Sequence, residues 1–200
     1  MELIKYKSYS EYKKAQIAAN KRKLKNVYVN ERVIHFICGF LSEHKGDIKF
    51  GLCHGTRRGV EQQLFKKYLN CKVLGTEIST TAKQFPDTIE WDFHDVKPAW
   101  VNACDFIYTN SLDHAMDPHK AVKSWLSCLS SGGYLIIEWA ETVRKRPKQA
   151  KKSDPFMAEY GEVVDLVQQM GGHVEIIQKL EDYPNSNKAH LLFVRRERWA

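Results

Sequence analysis

The sequence predicts an α/β protein, with a mostly parallel seven-stranded sheet covered by helices on both faces and ending in a C-terminal antiparallel hairpin. Three observations carry that expectation. From Ile48 onward, short apolar runs of strand length alternate with stretches whose apolar residues recur at helical spacing, the pattern of strands joined by crossover helices. The last two apolar runs flank EDYPNSNK at 181–188, a loop rich in turn formers that makes them a hairpin. No repeat, Gly/Ser tract or Pro linker divides the 200 residues, which suffice for one ordinary domain with its own core.

Taken in order, Ser8 or Ser10 is placed to cap a first helix running to about Lys25, with Tyr12, Ala15, Ile17 and Ala18 as a thin apolar stripe among lysines. It reads as a surface appendage, so residues 1–29 are expected to form a basic helical extension and residues 30–200 a single domain. Asn30 caps a stronger amphipathic helix, Glu31 to about Glu43, whose Val33, Ile34, Phe36, Ile37, Phe40 and Leu41 suit a sheet. The first strand is expected over Ile48–Leu52, followed by a glycine-bearing loop and a helix from about Arg58 to Leu69. Strands follow at Lys72–Glu77, Thr88–Trp91 and Asp105–Thr109, with a brief helix near Thr81–Gln84.

Asp117-Pro118 starts the next helix, since a proline there needs no N–H partner, and Ala121, Val122, Trp125, Leu126 and Leu129 form its buried stripe. Ser131-Gly132-Gly133 stops it and delivers a fifth strand, Tyr134–Trp139. A further helix is expected from about Asp154 to Met170, then strands at His173–Leu180 and Ala189–Arg195. Trp100, Trp125 and Trp139 read as core or rim aromatics.

Composition narrows the class. Hydrophobic residues at 43% and charged residues at 28% exclude wholesale disorder. Cys38, Cys53, Cys71, Cys104 and Cys128 are scattered without a CxxC pair, which points to reduced thiols in a cytoplasmic protein instead of a disulfide frame or zinc site. No apolar run approaches the roughly 20 residues of a membrane span. The net charge of +7 is concentrated. Residues 1–25 hold eight Lys/Arg against Glu2 and Glu11, a net of +6, and Arg144–Lys152 adds six more, leaving 7 − 12 = −5 for everything else. Such runs suit a solvated face or a phosphate backbone, so nucleic acid is one possible partner, through Lys13, Lys14, Lys21, Arg22, Arg144, Lys145 and Arg146.

In an open parallel sheet the ligand lies beyond the carboxyl ends of the strands, near the switch in strand order. Three acceptors stand at such ends: Glu77, Asp92 and Asn110. A carboxylate after the second strand can take both ribose hydroxyls as donors. Asp92 can accept from an exocyclic amine while Phe93 covers the ring, or can cap the following turn. Asp113 and His114, just past the fourth strand, are the candidate base pair, because histidine ordinarily changes charge near neutral pH. A cap for the next helix is the structural alternative. His94 and Asp95 are expected to be local hydrogen-bond partners. One carboxylate and one histidine are thin support for a hard cation, so no metal is expected.

VLGTEIS (Val73–Ser79), WDFHD (Trp91–Asp95) and DFIYTNSLDHAMDPHKAVKSWLSCLSSGGYLIIE (Asp105–Glu138) resemble the class I S-adenosylmethionine-dependent methyltransferases, of the type 11-like kind, over about Lys49–Phe193. Within that family the chain is most similar to a branch whose first loop reads His-Gly-x-Arg-x-Gly-x-Glu. The resemblance implies a three-layer Rossmann-like methyltransferase fold that uses S-adenosylmethionine and releases S-adenosylhomocysteine. It implies that the backbone from Cys53 through His54, Gly55 and Thr56 to Arg57 surrounds the methionine part, that Glu77 holds the ribose, and that Asp92 and Phe93 hold the adenine, with Gly59 and Ile78 also at the cofactor. Asn110 and Ser111 would line the methyl-transfer side.

The sequence departs from the family at its first motif, where an acid precedes a Gly-x-Gly-x-Gly series. Those places hold Gly51, Cys53, Gly55 and Arg57. Arg57 brings positive charge toward a sulfonium ligand unless its side chain points away or Glu61 neutralises it. The expected activity is methyl transfer to an unidentified acceptor, with a small molecule or saccharide favoured. The alternatives are a nucleic-acid-directed methyltransferase using the basic segments and a catalytically silent binding or scaffold protein. A dehydrogenase is disfavoured by the lack of a Gly-x-Gly-x-x-Gly series.

Overall fold

The computed structural model describes residues 1–140, 152–180 and 189–196. The turn-rich loop 181–188, Trp199 and the basic residues Arg144, Lys145 and Arg146 lie outside the described residues. A short β1 (Glu2–Leu3) precedes α1 (Tyr9–Arg22) and α2 (Glu31–His44). The alternation then begins: β2 (Phe50–His54), α3 (Val60–Leu69), β3 (Lys72–Glu77), β4 (Thr88–Glu90), β5 (Cys104–Thr109), α4 (Pro118–Cys128) and β6 (Leu129–Ala140). The chain closes with β7 (Phe156–Met157), α5 (Tyr160–Gln169), β8 (Gly172–Leu180) and β9 (Ala189–Arg196).

The main sheet has seven strands in the order β4-β3-β2-β5-β6-β9-β8. Its first five strands pair in parallel, and β9 is antiparallel to both β6 and β8, as the turn-rich loop required. After β2 the chain moves outward through β3 and β4 and then returns to place β5 on the other side of β2. The strand order therefore switches between β2 and β5, and that is where the carboxyl ends of the strands leave a crevice.

Each face of the sheet buries its own core. Trp125, Leu126 and Val122 of α4 and Val163, Leu166 and Val167 of α5 pack on Ile107, Leu135 and Leu192. Ile34, Ile37 and Leu41 of α2 and Phe65 of α3 pack on Phe106, Tyr108, Ile136 and Phe193 on the opposite face. Both sets follow from a helical stripe laid against strands buried on two sides. Trp100, Trp125 and Trp139 are all buried. Phe36 departs from the expected stripe: it is 46% exposed, with its ring edge-on to Phe193.

Several expected boundaries move. The helix expected from Asp154 starts only at Tyr160, because Phe156 and Met157 pair as a strand with β1 and the Pro155 carbonyl accepts from the Ile4 amide beside that pair. The helix before β6 stops at Cys128, and Gly132 and Gly133 lie within the strand. The largest revision concerns the N-terminus. α1 is not a surface appendage: Tyr12 is 1% exposed and Gln16, Ala19 and Asn20 are buried, so the helix lies across the carboxyl ends of the strands. Among the described residues, no helix is long and apolar enough to cross a membrane, and all five cysteines are free thiols.

Candidate functional site

The crevice is built by strand ends that hydrogen-bond to one another. β2 turns out of the sheet at Gly55, where φ is +74° and an added Cβ would lie 2.5 Å from the Ser111 Cβ, so only glycine lets this loop touch the end of β5. The amides of Gly55 and Thr56 both donate to the Thr76 carbonyl, which wraps the loop over β3. Thr109 at the end of β5 donates to the His54 carbonyl and accepts from the Ser111 amide, and Ser111 Oγ donates to the Gly55 carbonyl.

Around this junction lies a cleft open to solvent. Its floor is Gly55, Arg57, Glu77, Ile78, Asp92, Phe93, Ser111 and His114. Its roof is α1, through Tyr12, Gln16, Ala19, Asn20 and Lys23. Glu77 is 7% exposed, and one of its oxygens accepts from the Ser79 amide at 3.0 Å. Burial pushes its carboxyl pKa up, against the Ser79 amide, the Asn20 side chain and the charges of Arg57 and His114, which pull it down. Across from it Asn20 Oδ1 accepts from Thr81 Oγ1, while Asn20 Nδ2, buried and without a hydrogen bond of normal length, faces the Glu77 carboxylate. A buried acceptor and a buried donor thus face one space, which suits a diol.

Asp92 is held from both sides. Its Oδ1 accepts from the His94 amide at 3.0 Å and from His94 Nδ1 at 2.6 Å, and its Oδ2 accepts from the Tyr9 hydroxyl at 2.8 Å. Burial opposes its ionisation, but these donors outweigh burial and hold the carboxyl below its ordinary value. Oδ2 keeps a second lone pair for a ligand donor. His94 Nε2 accepts from the Asp117 amide, so its Nδ1 carries the proton and the ring links Asp92 to the start of α4. Asp95 pairs with Lys120 instead of His94.

His114 sits in a 3-10 turn after β5. Its Nδ1 lies 2.6 Å from the Ser153 carbonyl, which can only accept, so Nδ1 carries a proton and, in the neutral ring, the lone pair is on Nε2. Asp113 Oδ1 is 3.9 Å from Nε2, and Asp154 Oδ1 is 3.5 Å from Nδ1. Asp113, His114 and Asp154 place one ligand atom each within 4.8 Å of one another. Nδ1 is committed to Ser153, which orients the ring, and Lys23 lies 3.7 Å from Asp154 and offsets that acid's charge. The Tyr12 hydroxyl donates to the His114 carbonyl and ties this turn to α1.

Of the residues expected at the site, Gly55, Glu77, Ile78, Asp92, Phe93, Ser111 and His114 line the cleft; Cys53, His54, Thr56, Gly59, Asn110 and Asp113 do not. Cys53 is fully buried among α2 and α3, and burial raises its thiol pKa well above the ordinary range. His54 stacks on Trp125 with ring centroids 5.4 Å apart, and burial pulls its pKa down to about 3, leaving a neutral core ring. Gly59 is a packing glycine, since a Cβ there would meet Gln62 Nε2 at 2.4 Å. Asn110 Oδ1 at the rim shares the single Ser111 hydroxyl proton with the Gly55 carbonyl.

The sequence reading missed the roof. Its signal was present: Tyr12, Gln16, Ala19 and Lys23 recur at intervals of four, three and four, a continuous helix face in which polar residues alternate with apolar ones.

No family model and no curated sequence matches the chain. Solved structures do. The Burkholderia thailandensis 1,6-didemethyltoxoflavin-N1-methyltransferase, solved with 1,6-didemethyltoxoflavin and S-adenosylhomocysteine bound, superposes with a TM-score of 0.76 at 13% identity, over 98% of this chain and 93% of that one. The N-methyltransferase NodS of Bradyrhizobium japonicum WM9, in complex with S-adenosylhomocysteine, gives 0.68 at 16% identity, over 92% and 100%. The geranyl diphosphate C-methyltransferase of Streptomyces coelicolor A3(2), in complex with Mg²⁺, geranyl diphosphate and S-adenosylhomocysteine, gives 0.69 at 13% identity, over 92% and 98%. At these identities the likeness is one of fold.

Proposed function

From the class I methyltransferase fold that the chain shares with these proteins, we infer that it is an S-adenosylmethionine-dependent methyltransferase acting on a small-molecule acceptor. The observation that carries this reading is the convergence of Glu77, Asp92, Phe93 and His114, from three separate strand ends, on one cleft at the switch in strand order. The cofactor, when bound, supplies an electrophilic methyl group. The residues fit its nucleoside end: Glu77 and Asn20 take the ribose hydroxyls, Asp92 accepts from the adenine amine, and Phe93 with Ile78 walls the ring. His114 Nε2, its tautomer fixed by the Ser153 carbonyl, accepts the proton that the acceptor loses. α1 excludes water from above, and in-line positioning under that roof provides much of the rate.

Lys23 and His114 border the cleft where α1 meets the 152–157 segment. The small-molecule ligands named for the structural neighbours favour a small acceptor over a polynucleotide. The test is thermal unfolding with S-adenosylhomocysteine, where ligand at 100 times its Kd stabilises by about 2.7 kcal/mol. Glu77→Gln abolishes that shift at the same ligand concentration. No shift of the unsubstituted protein at millimolar ligand would overturn the reading.

A further inference from the structure

The acid that precedes the first glycine motif in the family has no room here. A Cβ built at Gly51 would lie 2.2 Å from the Phe106 ring, so an aromatic side chain occupies the place from which that acid would act. Two other charges on the same loop have no part in the nucleoside site. Arg57 lines the cleft with its backbone in the left-handed region, φ +44°, a costly conformation for a side chain of this size. Its guanidinium stands 4.9 Å over the Tyr28 ring and donates to the Asn26 carbonyl. Glu61 lies in the first turn of α3, into which this loop runs. It is 7% exposed, and its Oε2 is buried without a hydrogen-bond partner.

A buried carboxylate left partly unsatisfied is destabilising, and such groups concentrate where a ligand completes them. Among the described residues, Glu61 closes no ion pair, although it lies within electrostatic reach of Arg57 and Glu77, both of which line the cleft. A cation at the cleft wall and an orphaned anion one turn further on match an α-amino-acid group, which carries a carboxylate and an ammonium on one carbon. We propose that Arg57 and Glu61 form a two-charge clamp for the α-amino-acid end of the cofactor, with Arg57 taking the carboxylate and Glu61 the ammonium in place of the acid excluded at position 51. The clamp rests on the cofactor assignment above. It also answers the objection that Arg57 places a like charge beside a sulfonium: the ligand's carboxylate would neutralise Arg57.

The test compares S-adenosylhomocysteine with 5′-methylthioadenosine, which keeps the nucleoside and the thioether but lacks the amino acid. Binding of both is measured calorimetrically for the unsubstituted protein, Glu61→Gln and Arg57→Gln. The expected result is tighter binding of S-adenosylhomocysteine by the unsubstituted protein, and a loss in each variant of about tenfold to hundredfold for that ligand alone. Unchanged 5′-methylthioadenosine affinity shows that each variant is folded with its nucleoside site intact. Equal affinity of the unsubstituted protein for the two ligands, equal losses for both in a variant, or no loss for either would overturn the clamp and leave the nucleoside site standing. Binding of neither ligand by the unsubstituted protein would overturn the cofactor assignment and the clamp together.

Discussion

Replacing Glu61 with Gln should make the protein more stable above neutral pH while impairing its ligand binding. Burial is the chief cause that raises the Glu61 carboxyl from 4.5 to about 7, with the charges of Glu138 and Glu77 adding to it and Arg57 opposing it. Cys53, packed nearby, faces the same carboxylate. A group whose pKa is higher in the folded state favours folding below its unfolded value and loses that contribution as pH rises through the folded value. A difference of about 2.5 units is worth about 3 kcal/mol, and Glu61 is buried enough that solvent screening takes little of it. At pH 4.5 the variant and the parent should therefore unfold at similar denaturant concentrations. At pH 8 the variant should be more stable by up to about 3 kcal/mol, or about 6–12 °C in midpoint for a chain of this size. Urea unfolding followed by circular dichroism at pH 4.5, 6 and 8 measures this. Glu77, also raised, contributes the same slope to both proteins, so the difference between the two curves isolates Glu61. Parallel pH dependences would refute the claim that Glu61 is an ionisable group held at a cost.

Gly51→Asp, which restores the family's acid, should destabilise by about 3 kcal/mol or more without tightening S-adenosylhomocysteine, because its Cβ falls on the Phe106 ring; a folded variant with higher affinity would show that Phe106 yields. Tyr12→Ala should cost about 3 kcal/mol in urea unfolding, as for other large buried aromatics, whereas a helix standing off the body would lose almost nothing. His114→Gln should leave calorimetric nucleoside affinity within about twofold while methyl transfer from labelled cofactor to an identified acceptor falls about a hundredfold; equal losses in binding would make His114 a structural residue.

What could be read from the sequence follows from how local each signal is. The β-alternation, the Asp117-Pro118 helix start and the C-terminal hairpin depend on neighbours in the chain, and they appear where periodicity and turn chemistry placed them. Glu77, Asp92 and Phe93 were expected together and line one cleft because the position after a parallel strand is itself a spatial address. His54 and Cys53 misled for the opposite reason: a strand entering the cleft points alternate side chains into the two cores, and nothing local distinguishes those from a rim residue. The contacts that were out of reach join segments far apart in sequence. His114 gains its tautomer from the Ser153 carbonyl 39 residues on, and Asp92 gains a donor from Tyr9, 83 residues back.

The glycine loop shows the same limit most sharply. From the sequence, Gly51 and Arg57 are two faults in a cofactor motif. In three dimensions they are connected: Phe106 fills the space left at Gly51, and the charge lost there has a buried counterpart in Glu61, within the field of Arg57. A motif scan compares positions one at a time, whereas a ligand responds to the field of the whole loop. An acid supplied one helical turn later can perform the same electrostatic task at a different place in the chain. Loss of the motif and loss of the site are therefore separate events, and the contrast between S-adenosylhomocysteine and 5′-methylthioadenosine tells which has happened here.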